Sequence, residues 1–321
     1  MIIIKHNACI VVTGAAGLAG SAVVDHLRKE MFTCVVPLTR DDVDLRDYEE
    51  VHKKFALIQP DYVFHAAATV YGLGGNMRNQ AKSFLENTQI NTNVVDACYR
   101  VGVKKTIVMG TNAIYPDPAV LPYCEGNIFN GRPHKSERGY GDAKRHMLAM
   151  LEAYEESYGM KYTYLVSGNL YGPNDRFDPE NGHVLPSMIW KFFQAKKYNG
   201  EVRLWGDGTP ERDFLYSEDL ARIVRMLFAS PIAGAINIGN GNTYSIEEIA
   251  LKLCRITGVP PERVFYDTSK PNGRMRCYSD LVRLEGTGFK PAWSIERGLQ
   301  ATWDWYCDNE SSALRPPASS R

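Results

Sequence analysis

A parallel α/β sheet wound on both faces, with a smaller mixed α/β domain appended, is the fold the sequence predicts. Two observations carry it. Short β-branched runs alternate with longer amphipathic stretches through the first half of the chain, and the first such run leads straight into a glycine-rich turn. After about Asn169 the alternation gives way to turn-rich segments, where the second domain is expected.

Residues 9–13 read as the first strand, followed by Gly14-Ala15-Ala16-Gly17-Leu18-Ala19-Gly20 and an amphipathic helix over 19–30. Further strands are expected at 34–38, 62–66, 105–109 and 162–166, with helices over 47–58, 83–101 and 140–158 between them. The order implies a Rossmann-type, doubly wound sheet in residues 1–170. Beyond it, turns at 171–182, 206–212 and 239–242 are mixed with helices at 185–197 and 217–228, so 171–310 is expected to be mainly substrate-binding. Residues 235–239 look like another core strand, which brings the chain back to the first domain around 214–240. The Ser- and Pro-rich segment 311–321 is expected to be a flexible tail.

Composition excludes several classes. Lysine plus arginine equals aspartate plus glutamate at 37 each, so no global field draws the chain to nucleic acid or to an anionic membrane. No apolar run approaches the roughly 20 residues of a bilayer span, and the opening run at 1–4 reads as a strand approach, not a secretion signal. The seven cysteines are scattered and form no C-x-x-C pair, so neither a metal site nor a disulfide framework is expected. A reducing cytoplasm is the expected compartment.

The glycines of the first turn have separate jobs: one makes the turn, one lets backbone N–H groups approach a pyrophosphate, and one lets helix and sheet pack closely. The three-residue spacing of Gly14, Gly17 and Gly20 resembles the G-x-x-G-x-x-G form of the short-chain dehydrogenase/reductase superfamily. Arg40 ends the second strand where an arginine accommodates the 2′-phosphate of NADP, although Asp41 and Asp42 are placed to take a ribose instead. Asp44 and Leu45 resemble the segment that lines the adenine in this superfamily, and the small Ala66 and Ala67 end the third strand where backbone must approach the cofactor.

Tyr140 and Lys144 stand one helical turn apart, on one face. A phenol with pKa of roughly 10 is a poor proton carrier near neutrality, and an adjacent ammonium with an oxidised nicotinamide is expected to lower it. Such a tyrosine protonates a carbonyl oxygen as hydride arrives at carbon. Thr111 lies where the superfamily keeps a hydroxyl on the substrate oxygen.

Three segments sharpen the resemblance: 167–175, with Asn169 followed by Tyr171-Gly172-Pro173-Asn174-Asp175; 181–186, containing His183; and 205–214, from Trp205 to Phe214. With 269–273, around Lys270, they are similar to the GDP-L-fucose synthase family over nearly the whole chain. That resemblance implies a GDP-linked 4-keto-6-deoxy sugar as substrate, NADPH as hydride donor and a homodimer. It also implies that Lys191, Trp205 and Arg212, with Asn169 and Lys270, hold the nucleotide sugar, arginine gripping the pyrophosphate in a bidentate way. Family members epimerise the sugar before reducing it, with a cysteine two residues past the catalytic hydroxyl and the histidine matched by His183. In this chain the cysteine position is Ala113, and Cys124 is eleven residues further on. Alanine can neither take nor give a proton. Where the family has a substrate-binding lysine this chain has Cys277, with Arg276 and Arg274 as possible compensation.

The expected activity is therefore C4-ketone reduction of a GDP-linked deoxyhexose or heptose, with epimerisation impaired or lost and a separate epimerase supplying the sugar. A bifunctional epimerase/reductase is the nearest alternative. A 4,6-dehydratase lacks its carboxylate, since Asn112 and Ala113 stand there. An NAD-retaining 4-epimerase is disfavoured by Arg40, and a non-enzymatic NADP sensor by the presence of both Tyr140 and Lys144.

Overall fold

The computed structural model describes residues 3–71, 73–179, 182–270 and 272–313. β1 (Ile10–Thr13), α1 (Leu18–Lys29), β2 (Val35–Leu38), α2 (Tyr48–Ile58) and β3 (Tyr62–His65) form the first wound unit. α3 (Leu73–Arg78) and the long α4 (Gln80–Arg100) lead to β4 (Lys105–Met109), and the equally long α5 (Arg138–Tyr158) leads to β5 (Tyr162–Ser167). β6 (Asn169–Tyr171), α6 (Val184–Tyr198), β7 (Val202–Trp205) and β8 (Glu211–Tyr216) follow, then α7 (Ser217–Phe228) and β9 (Gly234–Ile238). The chain closes with β10 (Thr243–Ser245), α8 (Ile246–Thr257), β11 (Val264–Asp267), β12 (Arg276–Cys277), α9 (Val282–Glu285) and α10 (Ile295–Ala313).

The main sheet has the order β2-β1-β3-β4-β5-β9, every pair parallel. Its inner strands β1, β3, β4 and β5 are buried along their whole length, as expected where helices cover both faces. One apolar layer packs α2, α4 and α5 on the sheet, through Phe55, Val94, Leu148 and Leu151. The other packs α1 and α7, through Val23, Leu27, Val224 and Leu227. A third core, with Phe192, Leu253, Trp303 and Tyr306, belongs to the small domain, whose sheet runs β10-β8-β12 with β6 also on β8. α10 continues through Ser311 to Ala313, so the expected tail starts later than residue 311; 314–321 lie outside the described residues.

Strand order reverses between β1 and β3. In open α/β sheets that switch point, beyond the carboxyl ends of the strands, is where ligands bind. The register pairs Thr13 with both Leu38 and His65, so the two strands end level and the segments that follow them face each other across the crevice.

Candidate active site

The crevice begins at Gly14, whose φ of +66° is one that L side chains rarely adopt. A Cβ there would lie 2.8 Å from the Ala67 nitrogen and 2.9 Å from the Ala66 carbonyl carbon. A Cβ on Gly20 would lie 2.3 Å from the Gly14 oxygen, so α1 packs directly on the turn. Gly17 caps α1 without a side-chain hydrogen bond, leaving the positive end of the helix for an anion. Leu18 touches the small domain: a Cβ on Gly172 would lie 3.4 Å from its Cδ1.

At the end of β2, Arg40 is exposed and forms no hydrogen bond or ion pair with any described residue. The competing acid Asp42 is already engaged, accepting from the Thr39 N–H at 2.8 Å and its hydroxyl at 2.7 Å, which lowers its pKa. The Asp44 carboxylate is held by Arg46 at 2.6 and 2.9 Å, and the Leu45 carbonyl accepts from Asn93. These contacts pin the 44–45 segment on α4.

A buried hydrogen-bonded chain joins the glycine turn to the catalytic helix. The Ala67 N–H donates to the Thr13 hydroxyl at 3.3 Å, and that hydroxyl donates to His65 Nδ1 at 2.7 Å. His65 Nε2–H donates to Asn91 Oδ1 at 3.2 Å, and the Asn91 amide donates to the Ala143 carbonyl at 3.3 Å. The directions follow from the acceptor-only character of the Asn oxygen. Burial, with the Lys144 charge, pushes the His65 pKa down to about 3.

Tyr140 and Lys144 share a face of α5, with Lys144 Nζ 5.9 Å from the centre of the phenol ring. Lys144 is fully buried and donates to the Met109 carbonyl at 2.8 Å. The expected lowering of the Tyr140 pKa is not found in the protein's own field. Burial first, then the Glu137 carboxylate, push it above the ordinary phenol value, and burial pulls Lys144 down to about 7. A half-neutral lysine adds little to the phenolate's stability. The phenol is therefore fully loaded with its proton near neutrality, as a reduction requires.

The Lys144 shift has a stability consequence. The unfolded group titrates near about 10.4, so between about pH 7 and that value the unfolded chain binds more protons and stability rises with pH. Lys144→Met is expected to raise the melting temperature most below about pH 7, and the gain should shrink toward about pH 10. Melting curves across that range check it; a gain that grows with pH would contradict the buried-lysine assignment.

Thr111 follows β4, and its Oγ1 accepts from the Ala113 N–H at 3.2 Å. That leaves the hydroxyl hydrogen free to donate elsewhere. Ala113 is buried, and its carbonyl would lie 2.6 Å from a Cβ on Gly141. Neither Cys124 nor Cys277 is a ready proton carrier. Cys124 donates to Asp280 at 3.8 Å, and burial followed by Asp280 and Glu125 raises its pKa. Cys277 is buried and accepts from the Tyr123 hydroxyl at 3.7 Å.

His183 caps α6 and lies 3.9 Å from Asp175. Desolvation opposes its charge, but the Asp175 carboxylate, followed by Glu137, outweighs it and raises the pKa of this half-exposed side chain. Asp175 is itself nearly buried and also holds the Arg176 N–H at 2.7 Å. Asn174 donates to Ser21 on α1 at 3.2 Å, so the loop carrying this pair is fastened to the dinucleotide side.

The remaining predicted residues divide. Trp205 is half exposed at the end of β7, with Lys270 Nζ 5.8 Å from its ring. Lys191 on α6 is unpaired among the described residues, and burial lowers its pKa. Arg212 lies mid-sheet between β10 and β12; its Nη1 donates to the Glu211 carbonyl, not to a neighbouring acid. Asn169 donates to the Asp213 carbonyl at 3.3 Å. Arg276 and Cys277 part company. Arg276 pairs with Glu211 at 3.1 Å beside a polar recess of about 290 Å³, whereas the adjacent Cys277 is buried against Tyr123. Successive strand residues face opposite sides, so Arg276 lines the recess while Cys277 points into the core. Arg274 donates to the Tyr123 hydroxyl at 3.0 Å. Sequence reasoning missed Asp175 and Glu137; the signal for the second was its place one turn before Tyr140.

A family model described as the NAD dependent epimerase/dehydratase family matches residues 10–239. GDP-L-fucose synthase 1 of Arabidopsis thaliana is 37% identical over 94% of this chain and 94% of its own. A GDP-L-fucose synthetase from Naegleria fowleri bound to NADP superposes with a TM-score of 0.92, at 31% identity, over 98% of this chain and 97% of its own. A GDP-mannoheptose C4 reductase from Campylobacter jejuni with NADP bound gives 0.86 at 30% identity, over 95% and 100%.

Proposed function

The chain belongs to the NAD dependent epimerase/dehydratase family, the extended short-chain dehydrogenases/reductases, and from that premise we propose that it reduces the C4 ketone of a GDP-linked 4-keto sugar with NADPH, with epimerisation at C3 and C5 impaired. The sugar is a 6-deoxyhexose or a heptose, and the enzyme is an oxidoreductase of nucleotide-sugar ketones. One observation supports this most. Tyr140 and Lys144 stand together on α5, while position 113 is a buried alanine and the Cys124 and Cys277 thiols are engaged elsewhere.

The residues fit a dinucleotide: Gly14 and Gly20 form a cradle that a Cβ would fill, and Arg40 is an uncommitted guanidinium for a 2′-phosphate. When bound, NADPH supplies the hydride for the ketone carbon. Tyr140 gives its proton to the carbonyl oxygen, and the Thr111 hydroxyl orients that oxygen by donating to it. Lys144, titrating near neutrality, returns a proton toward Tyr140. His183, its pKa raised by Asp175, positions the sugar. A two-sided epimerisation needs a second proton carrier at the ring, and Ala113 supplies none. A separate epimerase then provides the substrate, and a homodimer built on α4 and α5 is the expected assembly.

The test is incubation with GDP-4-keto-6-deoxymannose and NADPH in deuterated water. Consumption of NADPH without ring deuterium is expected; deuterium at the carbons flanking the ketone would refute the loss of epimerisation. Arg40→Ala is expected to weaken NADPH about 10- to 100-fold more than NADH, the worth of one charge-assisted contact. Equal losses in a binding titration would remove Arg40 from the 2′-phosphate.

A further inference from the structure

We propose that Glu137 and Arg274 together grip hydroxyl groups of the reacting sugar, Glu137 accepting and Arg274 donating, and so help decide which sugar reaches Tyr140. This deepens the GDP-sugar reading and rests on it.

Glu137 is the residue that begins α5, one turn before Tyr140, so it stands at the same end of the helix as the proton donor. The approach to it is fixed. Gln80 accepts the Gly139 N–H at 2.6 Å and donates to the Ser136 carbonyl at 2.7 Å, clamping the loop on α4. The Glu137 side chain does not cap the helix and forms no hydrogen bond or ion pair with a described residue. It is nonetheless close enough for its charge to be felt at Tyr140, His183 and Arg274. At the cap position of α5, one turn before Tyr140, Glu137 stands at the end of the helix that carries the Tyr140–Lys144 pair.

Arg274 approaches from the other domain. Its Nη1 donates to the Tyr123 hydroxyl at 3.0 Å, which stacks on Tyr115 at 4.5 Å, so the guanidinium has a rigid support. Its Nε and Nη2 are buried without a partner. Unpaired buried donors are costly unless a ligand satisfies them. The Glu137 charge is felt at Arg274, yet the two do not close into an ion pair.

An acceptor-only group and a donor-only group that stay apart suit a ligand that both donates and accepts. A hydroxyl does so. A phosphate would be repelled by Glu137 and an ammonium by Arg274, so the neutral sugar, not the pyrophosphate, is the part of the substrate recognised here.

GDP and GDP-mannose separate the sugar from the nucleotide. Calorimetric titration of both into the full-length protein and into Glu137→Gln and Arg274→Met is expected to show GDP binding unchanged in all three. The extra affinity for GDP-mannose over GDP should fall about tenfold in either variant, and the double variant should lose little more, as for partners in one contact. An undiminished mannose advantage in both variants would overturn the proposal. So would equal losses of GDP and GDP-mannose, which mark a structural role. Absence of GDP binding by the unaltered protein would instead sink the nucleotide reading, and the sugar grip with it.

Discussion

Tyr140→Phe is expected to lower turnover by about 10²- to 10⁴-fold, the usual worth of a positioned general acid, with NADPH affinity little changed. The phenylalanine ring keeps the packing, and the Tyr140 hydroxyl makes no hydrogen bond with a described residue that would be left unsatisfied. The loss therefore falls on the step in which the carbonyl oxygen gains its proton. Burial, then Glu137, raise the phenol's pKa above its ordinary value, so the proton is in place near neutrality. Single-turnover oxidation of NADPH measures the step, and fluorescence titration measures cofactor affinity. Unchanged turnover would remove Tyr140 from the chemistry.

Gly14→Ala is expected to abolish useful NADPH binding, weakening it about 100-fold or more, and to lower stability by about 3 kcal/mol. Two costs add. An L residue at φ +66° is strained, roughly 1–2 kcal/mol, and its Cβ would press on the Ala66–Ala67 backbone at 2.8 and 2.9 Å. Backbone cannot rotate aside like a flexible side chain, so β1 and β3 would have to separate at the switch point. Paired measurements of dissociation constant and melting temperature check this. A variant as stable and as tight as the parent would mean that the crevice is not the dinucleotide site.

The wound sheet was readable because its signals are local and long. Strands expected at 105–109 and 162–166 appear as Lys105–Met109 and Tyr162–Ser167, and the helix expected at 217–228 is Ser217–Phe228. In the small domain the helix expected at 185–197 appears as Val184–Tyr198, but the strands were not legible, since β10 and β12 are only three and two residues long and carry no periodicity. That Tyr140 and Lys144 share one helix face was legible through their spacing. What escaped was the field around them. How deeply Lys144 is buried, and so how little charge it lends the phenol, depends on β4 and is invisible one turn away in sequence. The different surroundings of Arg274 and Arg276 were not legible either, because they depend on which side of a two-residue strand faces Tyr123.

The neutral imidazole between Thr13 and Asn91 also narrows the interpretation of pH profiles. With its acid limit near 3, His65 stays uncharged wherever the enzyme operates, and the polarity of its relay from crevice to α5 never reverses. An inflection in activity between about pH 6 and 8 must then be sought at Lys144 or His183, and a His65→Asn variant should leave that inflection in place while loosening the join between turn and helix.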